Sequence, residues 1–149
     1  LLKILLRLRY DIDHFVLVGL DEKPDALLLI GDRALVGRPD PQVYPHVLDL
    51  AAEWYAWTGR PFVFACWMVR RGVEPSHCTE IVDCFESNLT RNLADPTIIY
   101  SRRQDLELSQ GEVETYIRTF TYRFDEKIWD GFEHFKELDM RISSIETVA

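Results

Sequence analysis

The sequence predicts an α/β fold, and three observations carry that expectation. The run Ala26 to Ile30 is apolar on both faces and stops on Gly31-Asp32, as a strand at the centre of a helix-covered sheet does. Phe62 to Met68 is a second apolar and aromatic run, entered from a helical segment through Thr58-Gly59-Arg60-Pro61. Helical periodicity then holds from about Ser76 almost to the end of the chain. Strands alternating with helices, followed by a helical return, make an α/β sandwich lobe.

Taken in order, Leu1, Leu5, Leu8 and Ile12 recur at helical spacing, and Phe15 to Val18 is a short β-rich run. Pro24-Asp25 leads into the expected strand Ala26 to Ile30. Gly37 to Pro45, with prolines at 39, 41 and 45, reads as a loop. Val47, Leu50, Ala51 and Trp54 form one helical face, with Asp49 and Glu53 on the side expected to face solvent. Thr58-Gly59 ends that helix, Gly59 suiting a left-handed cap and Pro61 preventing continuation. Phe62 to Met68 follows as a buried strand, and Arg70-Arg71-Gly72 closes it as a turn.

Ser76 is the expected N-cap of a helix whose face is Cys78, Val82, Phe85, Leu89 and Leu93, broken by Asp95-Pro96. Ser109-Gln110-Gly111-Glu112 has the form of a capping box, with Val113, Tyr116, Ile117, Phe120 and Phe124 as the face behind it. A last helix turns Ile128, Phe132, Phe135 and Leu138 inward, and Ser143 to Ala149 reads as a frayed tail.

Composition narrows the function classes. With 47% hydrophobic and 28% charged residues, the 149-residue chain has the make-up of a globular protein able to bury a core. A net charge of −8 argues against a nucleic-acid partner, since phosphate backbones call for a basic surface. The apolar runs fall short of the ~20 residues that span a bilayer. Three cysteines do not make a disulfide framework and point to the cytoplasm. Cys78 and Cys84 lie outside metal-pair spacing and His77 does not repair it, so no metal is expected. No phosphate loop or dinucleotide fingerprint is present, so no cofactor is expected either. His14, His46, His77 and His134 fall in turns or on polar faces, away from any serine or cysteine nucleophile.

Two segments together resemble a known family: Asp25-Ala26-Leu27-Leu28-Leu29-Ile30-Gly31-Asp32-Arg33-Ala34-Leu35, and the helix and aromatic run from Asp49 to Trp67. Both are similar to the chorismate dehydratases of the futalosine route to menaquinone. The resemblance is strong over residues 1 to 70 and looser beyond. Ala51 stands where that family usually has glycine, and Arg60 where it usually has leucine. A sibling family that makes a dihydroxynaphthoate carries His-Glu at the place of Gly31-Asp32, which argues against it.

What the resemblance implies is specific. Its fold is the type II periplasmic-binding-protein-like fold, two α/β lobes with the ligand between them. Residues 1–70 would then be a partial α/β second lobe and 71–149 a C-terminal segment of packing helices. The chain opens Leu1-Leu2-Lys3-Ile4 as though partway along a helix, and the Thr-Ser pair that precedes such a helix in the family is absent. The expectation is therefore a C-terminal portion without the first lobe, prone to self-association; the alternative is one compact domain. The implied reaction is a hydro-lyase step: chorismate loses its ring hydroxyl and a neighbouring ring proton and becomes 3-[(1-carboxyvinyl)oxy]benzoate, driven by aromatisation. It needs a base, a donor to the leaving hydroxyl and anchors for two carboxylates.

Asp32 is the candidate catalytic residue, and Gly31, Asp32 and Arg33 are the candidate substrate-binding residues. Asp32 either caps the helix begun by Arg33-Ala34-Leu35, contacts ligand, or shares in proton transfer. Arg33 offers a guanidinium fork to a carboxylate or simply faces solvent. The alternative to an enzyme is a lobe that binds a small carboxylate without converting it, because fold alone does not decide function.

Overall fold

The computed structural model describes residues 1–19, 21–37 and 39–148, with 145–148 described by backbone alone. In chain order its helices are α1 (Leu2–Ile4), continued by a π-helical turn Leu5–Arg9, α2 (Asp32–Val36), α3 (Leu50–Thr58), α4 (Pro75–Ala94), α5 (Thr97–Tyr100), a 3₁₀ turn Gln104–Leu106, α6 (Gln110–Arg118) and α7 (Glu126–Val148). Among the described residues there is no strand and no sheet.

That overturns the expected fold class. The chain is not an α/β second lobe of a type II periplasmic-binding-protein-like fold with packing helices behind it; it is helical, with extended connections. The physical reason lies in the three apolar runs. A strand exists only through the hydrogen bonds it makes to a neighbour. Ala26 to Ile30 is extended, and its side chains alternate as in a pleat, Leu27 and Leu29 half-buried, Leu28 and Ile30 exposed. No second described segment forms a ladder with it. Val16, Leu17, Trp67 and Met68, all expected in strands, are likewise exposed.

The chain packs as two compact units. One comprises Leu1–Leu28, Pro39–Ala65 and Arg123–Ala149; the other comprises Leu29–Arg38 and Cys66–Tyr122.

In the first unit, Ile4, Trp54 and Ile142 form a buried cluster, with Leu1, Leu8, Phe62, Phe135 and Leu138 packed against it. The apolar spacing read in α3 and α7 supplies those contacts: Trp54 is wholly buried and meets the rings of Phe62 and Phe135 edge-on. Asp49 caps α3, its carboxylate accepting from the amides of Ala51 and Ala52 at 2.9 Å. Gly59 closes α3 in the left-handed conformation expected of it, φ 69°, its amide donating to the Tyr55 carbonyl at 2.8 Å. Glu53, expected to face solvent, is instead half-buried and paired with Arg9 at 2.6 Å. Gly131, inside α7, is the point of closest approach, since a Cβ there would stand 2.2 Å from the Pro61 carbonyl oxygen. Beside it, Arg60 pairs with Asp130 at 2.6 Å. The helix expected from Leu1 to Ile12 ends earlier, at Arg9, and its last five residues, Leu5–Arg9, form the π turn. The tail expected from Ser143 is helical as far as Val148, and Ala149 lies outside the described residues. The loop expected over 37–45 is irregular with a turn at 41–43, and its Arg38 lies outside the described residues too.

In the second unit, α4 starts one residue before the expected cap. Pro75 occupies the first helical position, where its missing amide costs nothing, and Ser76 caps no group. Twenty residues long, α4 buries none of them; Phe85 instead stacks on Trp67 with ring centroids 4.6 Å apart. The capping box of α6 forms as read: Glu112 accepts from the Ser109 amide at 2.8 Å while Ser109 Oγ accepts from the Glu112 amide at 3.3 Å. Behind it Val113 and Ile117 are buried. Arg118 donates to the Leu93 carbonyl at 3.2 Å, tying α6 to the end of α4.

Candidate functional site

In the second unit a cluster of charged side chains lies at the turn into α2. Gly31 stands at the cap position of α2 with φ 62° and ψ −137°, a conformation that L residues avoid. A Cβ there would meet nothing within 4 Å, so the constraint is on the backbone and not on space. Asp32 is the first helical residue, and its side chain caps no amide. The capping reading of Asp32 is therefore corrected: the glycine takes the cap position, and the carboxylate is free to turn elsewhere.

It turns to Arg103. The guanidinium donates from Nη2 to Asp32 Oδ2 at 2.8 Å, and its Nε and Nη2 also reach Asp105 Oδ1 and Oδ2 at 3.1 and 3.2 Å. This fork holds Asp105 well enough to lower its pKa below the ordinary value, the Arg103 hydrogen bond being the main cause. Arg103 in turn is pushed above its already high pKa, first by Asp105 and then by Asp32. All three groups are solvent-accessible, Asp32 with 60% of its side chain exposed. Asp32 Oδ1 has no hydrogen-bond partner among the described residues and is open to a ligand.

Arg103 also lines a cleft of about 360 Å³ between the last turns of α4 and the segment through α5. Asn88 and Arg91 contribute from α4, Ile98 and Ile99 from α5, and Arg102 from just beyond it. Arg91 donates from Nη2 to Asn88 Oδ1 at 2.7 Å. Asn92, on the same wall, has an Oδ1 that is buried with no donor among the described residues.

Of the three residues singled out in the sequence, Gly31 and Asp32 thus sit at one charged cluster. Arg33 does not join it; its guanidinium is exposed and bonds to none of the described residues. Sequence reasoning missed Arg91, Arg102 and Arg103. The adjacent arginines at 102–103 beyond Asp95-Pro96 were the available signal, but only the tertiary fold brings Arg103 to Asp32, 71 positions away. The three cysteines are free thiols, two of them exposed. His134 packs on the Trp54 ring, 5.7 Å between centroids, which gives it a place in the first unit's core. No helix among the described residues is long and apolar enough to cross a membrane.

No solved structure matches this chain. A family model described as menaquinone biosynthesis matches residues 1–139, nearly the whole sequence. The segment around Gly31-Asp32 and the helix from Asp49, which carried the resemblance, both lie inside that match. The chain belongs to the menaquinone biosynthesis family.

Proposed function

We propose that within menaquinone biosynthesis this protein acts as a chorismate dehydratase, a hydro-lyase that converts chorismate to 3-[(1-carboxyvinyl)oxy]benzoate in the cytoplasm. The observation that carries the reading is Asp32: a Gly-Asp turn lying inside the family match presents a carboxylate with one oxygen held by Arg103 and the other open. Proton removal from a ring carbon requires a base within hydrogen-bond reach and in fixed orientation. Arg103 supplies the orientation, because a fork shared with Asp105 cannot swing away without breaking both contacts. Asp32 Oδ1 then serves as base or as acceptor from the substrate hydroxyl, and Gly31, lacking a side chain, leaves the approach open. Arg33, exposed at the next position, is the residue for an outer carboxylate.

The test is a dehydration assay on the protein expressed from its whole reading frame, following the aromatic product by ultraviolet absorbance. Product formation that Asp32→Asn reduces by about 10²-fold or more supports the assignment, that being the scale of general-base contributions. Saturable chorismate binding without product would replace the enzyme with a carboxylate-binding protein.

A further inference from the structure

We infer that the exposed stretch Trp67 to Arg71 is a docking site for an anionic lipid surface. Trp67 and Met68 have 82% and 85% of their surface open to solvent, and Val69 is exposed beside them. Each keeps apolar area in water that burial would remove, so the stretch lacks a cover. It does not lack a support: the Trp67 ring stacks on Phe85 of α4, ring centroids 4.6 Å apart. An aromatic, a thioether and a β-branched side chain are thus displayed against a helix and not folded away.

The next two residues say what would cover it. Arg70 and Arg71 are exposed, and neither guanidinium makes a hydrogen bond or an ion pair with a described residue. Unanswered cations directly beside uncovered apolar side chains match the two layers of a bilayer surface, the acyl boundary for Trp67, Met68 and Val69 and the anionic headgroups for the arginines. Indole suits that boundary, its ring apolar and its N–H able to stay wet. A second copy of the chain fits the patch less well. A two-fold contact centred on so short a stretch would bring Arg70 and Arg71 close to their own mates, and like charges so placed oppose association. The net charge of −8 adds repulsion between copies. It also repels an anionic bilayer away from the patch, so the contact is local and reversible, as single membrane signals are. The segment lies on the surface and does not cross it, no helix among the described residues being long and apolar enough to span a membrane. None of this depends on dehydration occurring at Asp32.

The full chain is titrated at low salt with vesicles of equal parts phosphatidylglycerol and phosphatidylcholine, and separately with vesicles of phosphatidylcholine alone, binding being read by co-sedimentation. Saturable binding to the anionic vesicles and little to the zwitterionic ones is expected, weakening as added salt screens the arginines. Arg70→Gln and Arg71→Gln, surface changes whose fold is checked by circular dichroism, should each weaken binding about fivefold, the scale of one cation at an anionic surface. Met68→Ser, which leaves the Trp67 stack on Phe85 in place, should weaken it too. Lipids brominated along the acyl chain should quench part of the tryptophan fluorescence, and that part should vanish in Trp67→Phe. Equal binding to both kinds of vesicle, indifference to both arginine substitutions, or quenching that survives Trp67→Phe unchanged would each overturn the proposal. So would self-association without lipid that Met68→Ser abolishes while no vesicle is bound, since the patch would then belong to a second copy of the chain.

Discussion

Arg103 donates from Nη2 to Asp32 across 71 positions of sequence while the same Nη2, together with Nε, grips Asp105, so one guanidinium fixes two carboxylates that local structure would leave apart. Replacing it with Gln should release both. Because Asp105 has a depressed pKa in the folded protein, its contribution to stability is present above the ordinary carboxylate pKa near ~4 and is lost as pH falls through the lowered value. In Arg103→Gln the Asp105 carboxyl should titrate at a higher pH, back toward the ordinary range, read directly from its ¹³C chemical shift. An unchanged titration would mean that the fork does not set the Asp105 charge.

Gly131 and Gly111 both lie in helices, and alanine should affect them in opposite directions. At Gly131 a methyl would overlap the Pro61 carbonyl at 2.2 Å, forcing α7 away from the turn after α3, and overpacking of this kind costs about 1–3 kcal/mol. At Gly111 nothing lies within 4 Å, and the helix-propensity gain should stabilise by up to about 1 kcal/mol. Urea midpoints of the two variants should fall on either side of the parent protein.

Ser109→Ala removes one half of the capping box on α6, leaving the Glu112 amide without its acceptor. The expected loss is about 1 kcal/mol of stability. Amide exchange in the first turn of α6 should quicken before exchange at Val113 and Ile117, which are held by burial.

Asn92 gives the opposite sign. Its buried Oδ1 has no donor among the described residues, and an orphaned acceptor costs about 1–3 kcal/mol of desolvation. Asn92→Leu, with the same branched skeleton and without the acceptor, should therefore match or exceed the parent in melting temperature. A clear drop would show that the amide makes a contact worth more than its burial costs.

Several local signals were legible in the sequence and long-range ones were not. The Gly59 cap and the Ser109–Glu112 box depend on residues within a few positions of each other and both form as read, whereas at the same short range the cap at Asp49 was missed, the residue being read only as a solvent-facing position, and the cap expected at Ser76 does not form. The inward faces of α3 and α7 follow from spacing alone, which is why Trp54 and Phe135 could be read as core. The apolar runs at 26–30 and 62–68 misled because hydrophobicity signals a need for cover and does not supply the neighbour that makes a strand. At the site, Asp32 and Gly31 stood out through local chemistry, whereas Arg103 and the cleft around it arise from tertiary placement that no spacing rule reports.

The uncovered stretch Trp67-Met68-Val69, flanked by Arg70-Arg71, also bears on how the protein behaves in concentrated solution. An extended, β-prone segment with open backbone edges templates stacking between molecules, and the paired arginines behind it act as gatekeepers that make such stacking electrostatically unfavourable. The acidic remainder of the chain adds general repulsion at neutral pH. That protection is weakest where the charges cancel, at pH about 5.0. Storage near that acidity, or in salt strong enough to screen the guanidiniums, should turn this short stretch into the seed of precipitation.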